Sequence, residues 1–206
     1  MKKLFFLALV LITSLASSAN ADLAFINEFH YDNDGGDTGE FVEFAVESGA
    51  DLSTVEFFLV NGNGGATYDS IFANDASITA GDSNLSFSGV LYDLYVWEPT
   101  SIQNGGPDGI AVITSMGLQE FLSYEGVIAN TDFGGGIIGG STDIGVSEPG
   151  NTLIGSSLQL GADGLWTLTS GTNTQGAANF STIPEPTSAV LLGFSGLGLC
   201  IVRRRS

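Results

Sequence analysis

The densest group of side chains that could do chemistry forms one short acidic segment. Asp32, Asp34, Asp37 and Glu40 fall within nine residues, with Asn33 beside them and glycines interspersed. Calcium takes about six to eight oxygen ligands and accepts irregular geometry. At the position where an EF-hand loop needs glycine this segment has Asp37, so we exclude an EF-hand and predict a looser calcium loop. The alternative interpretation is a solvated turn, because the same residue types also favour turn conformations.

His30 is the only histidine in the chain, so any histidine-dependent mechanism has to use it. A serine hydrolase would also need a nucleophile elbow, and the sequence contains no Gly-x-Ser-x-Gly motif. A zinc site is disfavoured because the only cysteine, Cys200, lies near the C-terminus. We therefore predict that His30 is hydrogen-bonded and supports the structure or orients the acidic segment.

Other kinds of chemistry receive weak support from the sequence. Paired carboxylates can hydrolyse glycosidic bonds, but in a chain this acidic some pair falls at a suitable distance by chance. No glycine cluster carries the Lys and Ser/Thr of a phosphate-binding P-loop. Aromatic residues could stack on sugar rings where they are exposed, although aromatic residues of strands more often belong to the core. They are Tyr92, Tyr95, Trp97, Tyr124 and Trp166.

The elements that must position these residues are predicted to be β-strands. Short runs rich in aromatic and β-branched residues alternate with Gly/Asn/Asp turns, and no sustained helical stripe is present. The predicted strands are residues 23–29, 40–46, 55–60, 91–97, 110–113, 120–124 and 166–169. Residues 133–164 are Gly/Ser-rich and predict long loops with one or two strands. Seven or more short strands of this kind indicate an all-β fold, a β-sandwich.

The charge distribution excludes one class of partner. All five Lys and Arg residues lie near the chain ends, at positions 2, 3 and 203–205, while 22 of the 23 acidic residues lie between positions 22 and 183. Nucleic-acid affinity comes largely from Lys and Arg, so we predict no nucleic-acid binding. Unpaired carboxylates repel one another, so divalent cations that bind the native state should stabilise it.

The N-terminus has the features of a secretory signal peptide. Lys2 and Lys3 precede an apolar run, and Ala19-Asn20-Ala21 is an A-x-A cleavage site. We predict cleavage by signal peptidase after Ala21, which makes residues 1–21 a leader for the export machinery. About 160 residues then remain for one domain, residues 22–180, which is enough for a hydrophobic core.

Residues 181–206 combine three features in a fixed order. Pro184-Glu185-Pro186 comes first, an uncharged run over residues 187–202 follows, and Arg203, Arg204 and Arg205 end the segment. A helix over the uncharged run would be about 24 Å long, somewhat short of the roughly 30 Å hydrocarbon core. The arginines can extend its reach and favour the cytoplasmic side. The segment therefore predicts a marginal transmembrane helix.

This arrangement resembles the PEP-CTERM sorting signal of Gram-negative bacteria. The resemblance implies transient insertion into the inner membrane and recognition by an exosortase-type protease, which removes the helix. The protein would then reside at the cell surface or outside the cell. The alternative is a permanent C-terminal anchor.

Several short motifs between residues 25 and 179 resemble bacterial lamin-tail-like domains. The first reads Ile-Asn-Glu-Phe-His-Tyr-Asp-Asn over residues 26–33, and Gly-Asp-Thr-Gly-Glu-Phe-Val-Glu follows over residues 36–43. Later motifs include Pro-Asp-Gly-Ile-Ala at 107–111 and Glu-Phe-Leu-Ser-Tyr-Glu-Gly at 120–126. The resemblance implies an immunoglobulin-like sandwich that often accompanies secreted nucleases or phosphatases. No such enzymatic companion is found in this sequence.

Together these observations predict an exported surface or extracellular-matrix protein that is not an enzyme. Its role would be binding or structural, in association with exopolysaccharide of the kind found in biofilms, and calcium would link its carboxylates to acidic polysaccharide. The competing hypothesis is a secreted hydrolase of the nuclease or phosphatase type, or an accessory subunit of one.

Overall fold

A computed structural model of the protein describes residues 24–179. The predicted signal peptide with Ala19 and Ala21 lies outside the described residues. The same holds for the sorting motif at 184–186, the apolar run at 187–202 and the arginines at 203–205. Within the part of the chain that is described, no helix is long and apolar enough to cross a membrane.

The described residues form strands and loops with a single 3₁₀ turn at Leu52–Thr54. The long strands are β1 (Ala24–His30), β2 (Phe41–Glu47), β3 (Glu56–Asn61), β4 (Ala66–Phe72), β7 (Val90–Trp97), β8 (Asp108–Thr114) and β9 (Gly117–Tyr124). The short strands are β5 (Thr79–Ala80), β6 (Leu85–Phe87), β10 (Thr131–Asp132), β11 (Ile138–Gly139), β12 (Thr142–Asp143), β13 (Leu158–Leu160) and β14 (Trp166–Leu168). The predicted all-β fold is confirmed.

Two main sheets contain most of these strands. In the first sheet the order is β14-β13-β1-β2-β7-β5, with β6 also paired to β7, and in the second sheet it is β12-β9-β8-β3-β4. Strands β10 and β11 form a separate two-stranded ribbon. The pairing is antiparallel except between β12 and β9, which are parallel.

The two sheets share a common core. Phe44 of β2 stacks on Phe57 of β3 with ring centroids 3.6 Å apart, and Tyr31, just after β1, stacks on Tyr124 of β9 at 4.1 Å. Buried Ile, Leu and Val side chains from β1, β2, β3, β8 and β9 fill the space around these rings. Removing this apolar surface from water is the main force that holds the sheets together. The arrangement agrees with the predicted β-sandwich.

Strand β4 is the long strand that sequence periodicity missed. It pairs only with β3, at the edge of the second sheet, and most of its side chains are exposed or half-buried. An edge strand needs little apolar surface, so its sequence carries a weak signal. The composition of residues 61–65, Asn-Gly-Asn-Gly-Gly, was more informative because it is typical of a turn, and Gly64 and Gly65 adopt φ values of 106° and 65° between β3 and β4.

The segment predicted as long loops, residues 133–164, contains strands β11, β12 and β13. Each of these three strands has only two or three residues. The sequence predicted one or two strands in this segment, so the structure has one more. Strand β13 pairs with β1 and thereby extends the first sheet. This segment also delivers a buried glutamate to the acidic loop.

Candidate functional site

The acidic segment is the connection between β1 and β2, residues 31–40. Its start is fixed because Tyr31 is fully buried and stacks against both Phe29 and Tyr124. Its middle is attached to a distant part of the chain, since the Asp34 backbone N–H donates to the Thr152 carbonyl at 2.9 Å. The strands and the core therefore position the base of this loop.

Glu148 is the hydrogen-bonding centre at the base of the loop. Its side chain is buried, and its carboxylate accepts hydrogen bonds from the backbone N–H groups of Tyr31 at 2.7 Å and Asp32 at 2.9 Å. Its two oxygens also lie 2.9 and 3.0 Å from Nδ1 of His30. The backbone N–H of Glu148 in turn donates to the Tyr31 hydroxyl at 2.8 Å. These bonds satisfy a charge that would otherwise be costly to bury.

His30 is almost completely buried between Glu148 and Asn33. Its Nε2 lies 2.9 Å from Nδ2 of Asn33, which also donates to the Thr38 carbonyl at 2.9 Å. Burial by itself lowers the pKa of His30, but the hydrogen bond and charge of Glu148, helped by the Thr38 carbonyl and Glu40, outweigh burial and raise the pKa above 6.5. The geometry agrees with the predicted hydrogen-bonded histidine.

Of the four predicted calcium ligands, the structure brings Asp32 and Asp37 together. Burial of the Asp32 carboxyl, together with the charge and a hydrogen bond of Asp37, raises the pKa of Asp32. Asp37 also accepts hydrogen bonds from the Asn33 backbone N–H at 3.4 Å and from Nδ2 of Asn104 at 3.1 Å. Two adjacent carboxylates repel unless a proton or a cation lies between them.

The other two predicted ligands are not part of this pair. The Asp34 side chain is exposed, and Glu40 accepts a hydrogen bond from the Ile102 backbone N–H at 3.0 Å. Glu40 remains close enough to Asp37 and His30 for their charges to affect its pKa, which burial raises. Among residues 24–179 no group of three or more His, Cys, Asp or Glu side chains is arranged to hold a metal ion.

A calcium ion at this loop would therefore have a small set of protein ligands. The Asp32 and Asp37 carboxylates fit calcium chemistry, and the side-chain amide oxygen Oδ1 of Asn33, in the same loop, is buried without a hydrogen-bond partner in the described structure. Water or a bound ligand would have to complete the shell. Calcium binding remains a prediction for the Asp32–Asp37 part of the loop.

Sequence reasoning missed two glutamates beside this loop, Glu148 and Glu125. Glu125 accepts hydrogen bonds from the Tyr31 hydroxyl at 3.0 Å and from the Gly106 backbone N–H at 3.1 Å. Glu148 lies 118 residues from His30 in a segment predicted as loop. The one available signal was that a lone histidine at the end of a buried strand needs a polar partner.

A second acidic pair, which unlike the first is buried, lies on the outer face of the first sheet. Glu28 of β1 is the register partner of Glu43 of β2, and both are fully buried. Glu28 accepts hydrogen bonds from the backbone N–H and hydroxyl of Thr174, and Glu43 accepts from the Gly176 N–H at 2.6 Å and from Asn27 at 2.7 Å. The segment of residues 171–179 thus covers the outer face, and we refer to it as the C-terminal strap.

Burial raises the pKa of Glu43 to about 7, although its hydrogen bonds with Asn27 and Gly176 act in the opposite direction. The negative charge of Glu28 adds to the increase. Glu43 is therefore partly protonated near neutral pH, which no sequence pattern indicated.

Comparison with family models, curated proteins and solved structures finds no match to this chain. The resemblances to the PEP-CTERM signal and to lamin-tail-like domains therefore stay predictions from short motifs.

Proposed function

We propose that this protein is an exported, exosortase-sorted surface or extracellular-matrix protein with a non-catalytic binding or structural role in exopolysaccharide. Signal peptidase would remove residues 1–21, and an exosortase-type protease would act at Pro184-Glu185-Pro186 after transient insertion into the inner membrane. The cargo is the domain at 22–180, for which we propose the immunoglobulin-like, lamin-tail type of sandwich. Two sheets with a shared core support that proposal.

The observation that carries the non-catalytic role is the burial of the only histidine. Between residues 22 and 183 there is no Lys, Arg or Cys, so His30 is the only side chain there that could act as a nitrogen base. It is 1% exposed and held by Glu148 on one side and Asn33 on the other. A group that supports the loop from inside in this way has no path to an external substrate.

Calcium has a defined place in this proposal. The adjacent Asp32 and Asp37 carboxylates face the exposed part of the loop, where a cation would remove their mutual repulsion. A calcium ion held there by few protein ligands would retain positions for the carboxylates of an acidic polysaccharide. The loop would then link the domain to its matrix.

The alternative function is a secreted hydrolase or an accessory subunit of one. The observation in its favour is the same Asp32–Asp37 pair, because a carboxyl with a raised pKa, here Asp32, beside a second carboxyl is a common arrangement for acid–base catalysis. Such an enzyme would work with carboxylates alone or with a bound metal ion.

A pair of assays on the exported protein separates these hypotheses. We expect co-sedimentation with the native exopolysaccharide and no turnover of nuclease, phosphatase or glycosidase substrates, with or without divalent metal. Turnover that Asp37→Asn abolishes would overturn the non-catalytic proposal.

Mass spectrometry of the protein from native cells tests the sorting proposal. We expect a mature N-terminus at Asp22 and loss of Arg203, Arg204 and Arg205. Recovery of the three arginines on protein in the inner membrane would instead establish a permanent anchor.

A further inference from the structure

The two main sheets leave an open cleft at one side of the sandwich. At this side β13 and β14 end the first sheet, and β9 and β12 end the second. The cleft between them has a volume of about 550 Å³ and is lined by residues of all four strands and by the turn before β14. This volume falls within the roughly 300–1,000 Å³ typical of small-molecule sites. It lies apart from the acidic loop, which contributes no lining residue.

Trp166 provides an aromatic surface in this cleft. Its indole packs edge-on against the buried ring of Phe29, with centroids 5.3 Å apart and an interplanar angle of 61°. It remains half-buried rather than buried, and it lines the cleft. The neighbouring Leu165 also lines the cleft and is 63% exposed. The core therefore holds an apolar platform in place and leaves part of it in contact with solvent.

Hydrogen-bonding groups surround this platform and are themselves held in position. Glu120 accepts a hydrogen bond from the backbone N–H of Ile26 at 2.6 Å. Ile26 lies beyond the end of the β1–β13 pairing. Asp143 accepts the Gly145 N–H at 2.9 Å, and Nε2 of Gln119 donates to the Gly117 carbonyl at 3.1 Å. Asp143 is exposed, and an ionised carboxylate has about four lone-pair sites, so the bond with Gly145 leaves Asp143 able to accept further hydrogen bonds.

The charge of the lining selects among ligands. The cleft contains Glu120 and Asp143, and no Lys or Arg occurs anywhere in residues 24–179. A phosphate, a sulfate or a uronic acid would be repelled without a compensating cation. The aromatic residues of the lining are Trp166 and Phe121, and the Phe121 ring is buried against Phe133, so the site lacks the several exposed rings of a cage for quaternary ammonium groups. The lining therefore favours an uncharged ligand rich in hydroxyl donors.

We propose that this cleft binds a neutral saccharide chain, with Trp166 as its stacking platform. A sugar ring has a face of C–H groups that packs on an aromatic ring, and an edge of hydroxyls that donate to carboxylates and exchange hydrogen bonds with an amide such as Gln119. The inference rests on the proposed association with exopolysaccharide, and it assigns neutral segments to the cleft and acidic segments to the calcium loop.

Tryptophan fluorescence of the exported protein tests the proposal. The chain has two tryptophans, and Trp97 is buried, so a ligand in the cleft should change only the Trp166 signal. We expect neutral hexasaccharides, with cellohexaose and mannohexaose as probes, to change the emission. Polygalacturonate in the absence of calcium should not. Because these variants lack the Trp166 fluorophore, isothermal titration calorimetry with the neutral hexasaccharides measures their binding. Trp166→Ala should weaken binding by about tenfold, and Trp166→Phe should restore part of it.

Leu153→Ala is the matched control, because Leu153 is 60% exposed and does not line the cleft. Circular dichroism of each variant checks that Trp166→Ala retains the β fold, and Leu165→Ser offers a cleft substitution that leaves the core intact. Equal binding of the neutral hexasaccharides by wild type, Trp166→Ala and Leu165→Ser would overturn the cleft proposal, and continued binding of native exopolysaccharide would leave the proposed function standing. Tighter binding of polygalacturonate than of both neutral probes would overturn the charge argument. If the wild-type protein binds none of these polysaccharides, native exopolysaccharide included, the proposed function is overturned as well.

Discussion

At the scale of single residues, the chemistry of this domain is concentrated in buried acids. Glu148 and Glu43 are each 1% exposed or less, in a protein whose sequence has acidic residues almost everywhere. Both are buried because backbone N–H groups from distant segments converge on them. Their effects on stability follow from these bonds.

Glu148→Gln should destabilise the protein by about 3 kcal/mol, because removal of one partner leaves a buried ion pair broken. Urea unfolding measures this loss. The substitution should also lower the pKa of His30, since Glu148 is the main group that raises it. His30 is the only histidine, so its NMR titration gives a single resonance to follow.

Glu47→Gln provides the control for this experiment. Glu47 lies at the end of β2, is half-buried and is remote from His30. The substitution Glu47→Gln removes one negative charge, as Glu148→Gln does, and should leave both the stability of the protein and the titration of His30 nearly unchanged. Equal destabilisation by the two variants would contradict a central role for Glu148.

Glu43 should make stability fall as pH rises. Its pKa is about 7 in the folded state and near 4.5 when unfolded, so folding favours the protonated form. The resulting stability is fully present below pH 4.5 and is lost as pH rises through about 7. The difference across that window is at most about 3 kcal/mol.

Urea unfolding of wild type and Glu43→Gln at pH 5 and pH 8 checks this prediction. Gln is neutral at both pH values, and rotation of the Asn27 amide can preserve their hydrogen bond. The variant should therefore lose less stability than wild type between pH 5 and pH 8. Glu47→Gln also removes one negative charge and serves as the control. Its stability should change with pH as that of wild type does. If it changes as that of Glu43→Gln does, general charge repulsion rather than Glu43 causes the pH dependence.

At the scale of elements, the β1–β2 loop combines a rigid base with an exposed tip. Glu148 and Tyr31 hold its start, whereas residues 34–39 are exposed. Composition alone suggested four equivalent ligands, but backbone geometry separates them. Asp32 and Asp37 meet, Asp34 faces solvent, and Glu40 turns towards Ile102.

Calcium should therefore raise the melting temperature through Asp32 and Asp37. Differential scanning fluorimetry at millimolar calcium should show an increase for wild type, none for Asp37→Asn, and an undiminished increase for Asp34→Asn. The physical reason is that binding to the native state alone shifts the folding equilibrium. A melting temperature that does not respond to calcium in wild type would end the calcium hypothesis.

The C-terminal strap changes the solvent exposure of strand β1. Strand β1 is buried on both faces because the strap covers the outer face, where Thr174, Gly176 and Asn179 bind Glu28, Glu43 and the Asn27 carbonyl. A glutamate in a strand normally indicates a solvent-exposed face. Here the strap supplies hydrogen-bond donors in place of water.

At the scale of the whole molecule, acidic charge without basic partners dominates. No Lys or Arg lies between positions 22 and 183, so the 22 carboxylates there have no Lys or Arg in this part of the chain to pair with. Repulsion of this kind opposes the compact state and is screened by salt. Ionic strength should therefore affect folding of the entire domain.

Sodium chloride between about 10 mM and 500 mM should raise the urea midpoint of unfolding, because the Debye length falls from about 30 Å to below 10 Å. Sodium sulfate at matched ionic strength separates screening from effects on hydrophobic burial. A midpoint that is independent of sodium chloride would show that the fold already disperses its charges enough to avoid repulsion.

What the sequence determined by itself is local in origin. Alternating aromatic and β-branched runs predicted β1, β2, β3, β7, β8, β9 and β14, because strand formation depends on neighbouring residue types. Composition likewise established the acidic surface and the single histidine. Short motifs at both ends led to the predictions on export and sorting.

Only the tertiary structure decided which acids meet. Glu148 contacts His30 although the two residues are 118 positions apart in the sequence, and Glu28 bonds Thr174 at a separation of 146 positions. Trp166 contacts Phe29 because β13 pairs with both β1 and β14. Such contacts depend on the packing of two sheets and on the path of loops with little periodicity. Local pattern contains no information about them, because a carboxylate in a turn has the same neighbours whether its partner is water or a buried histidine.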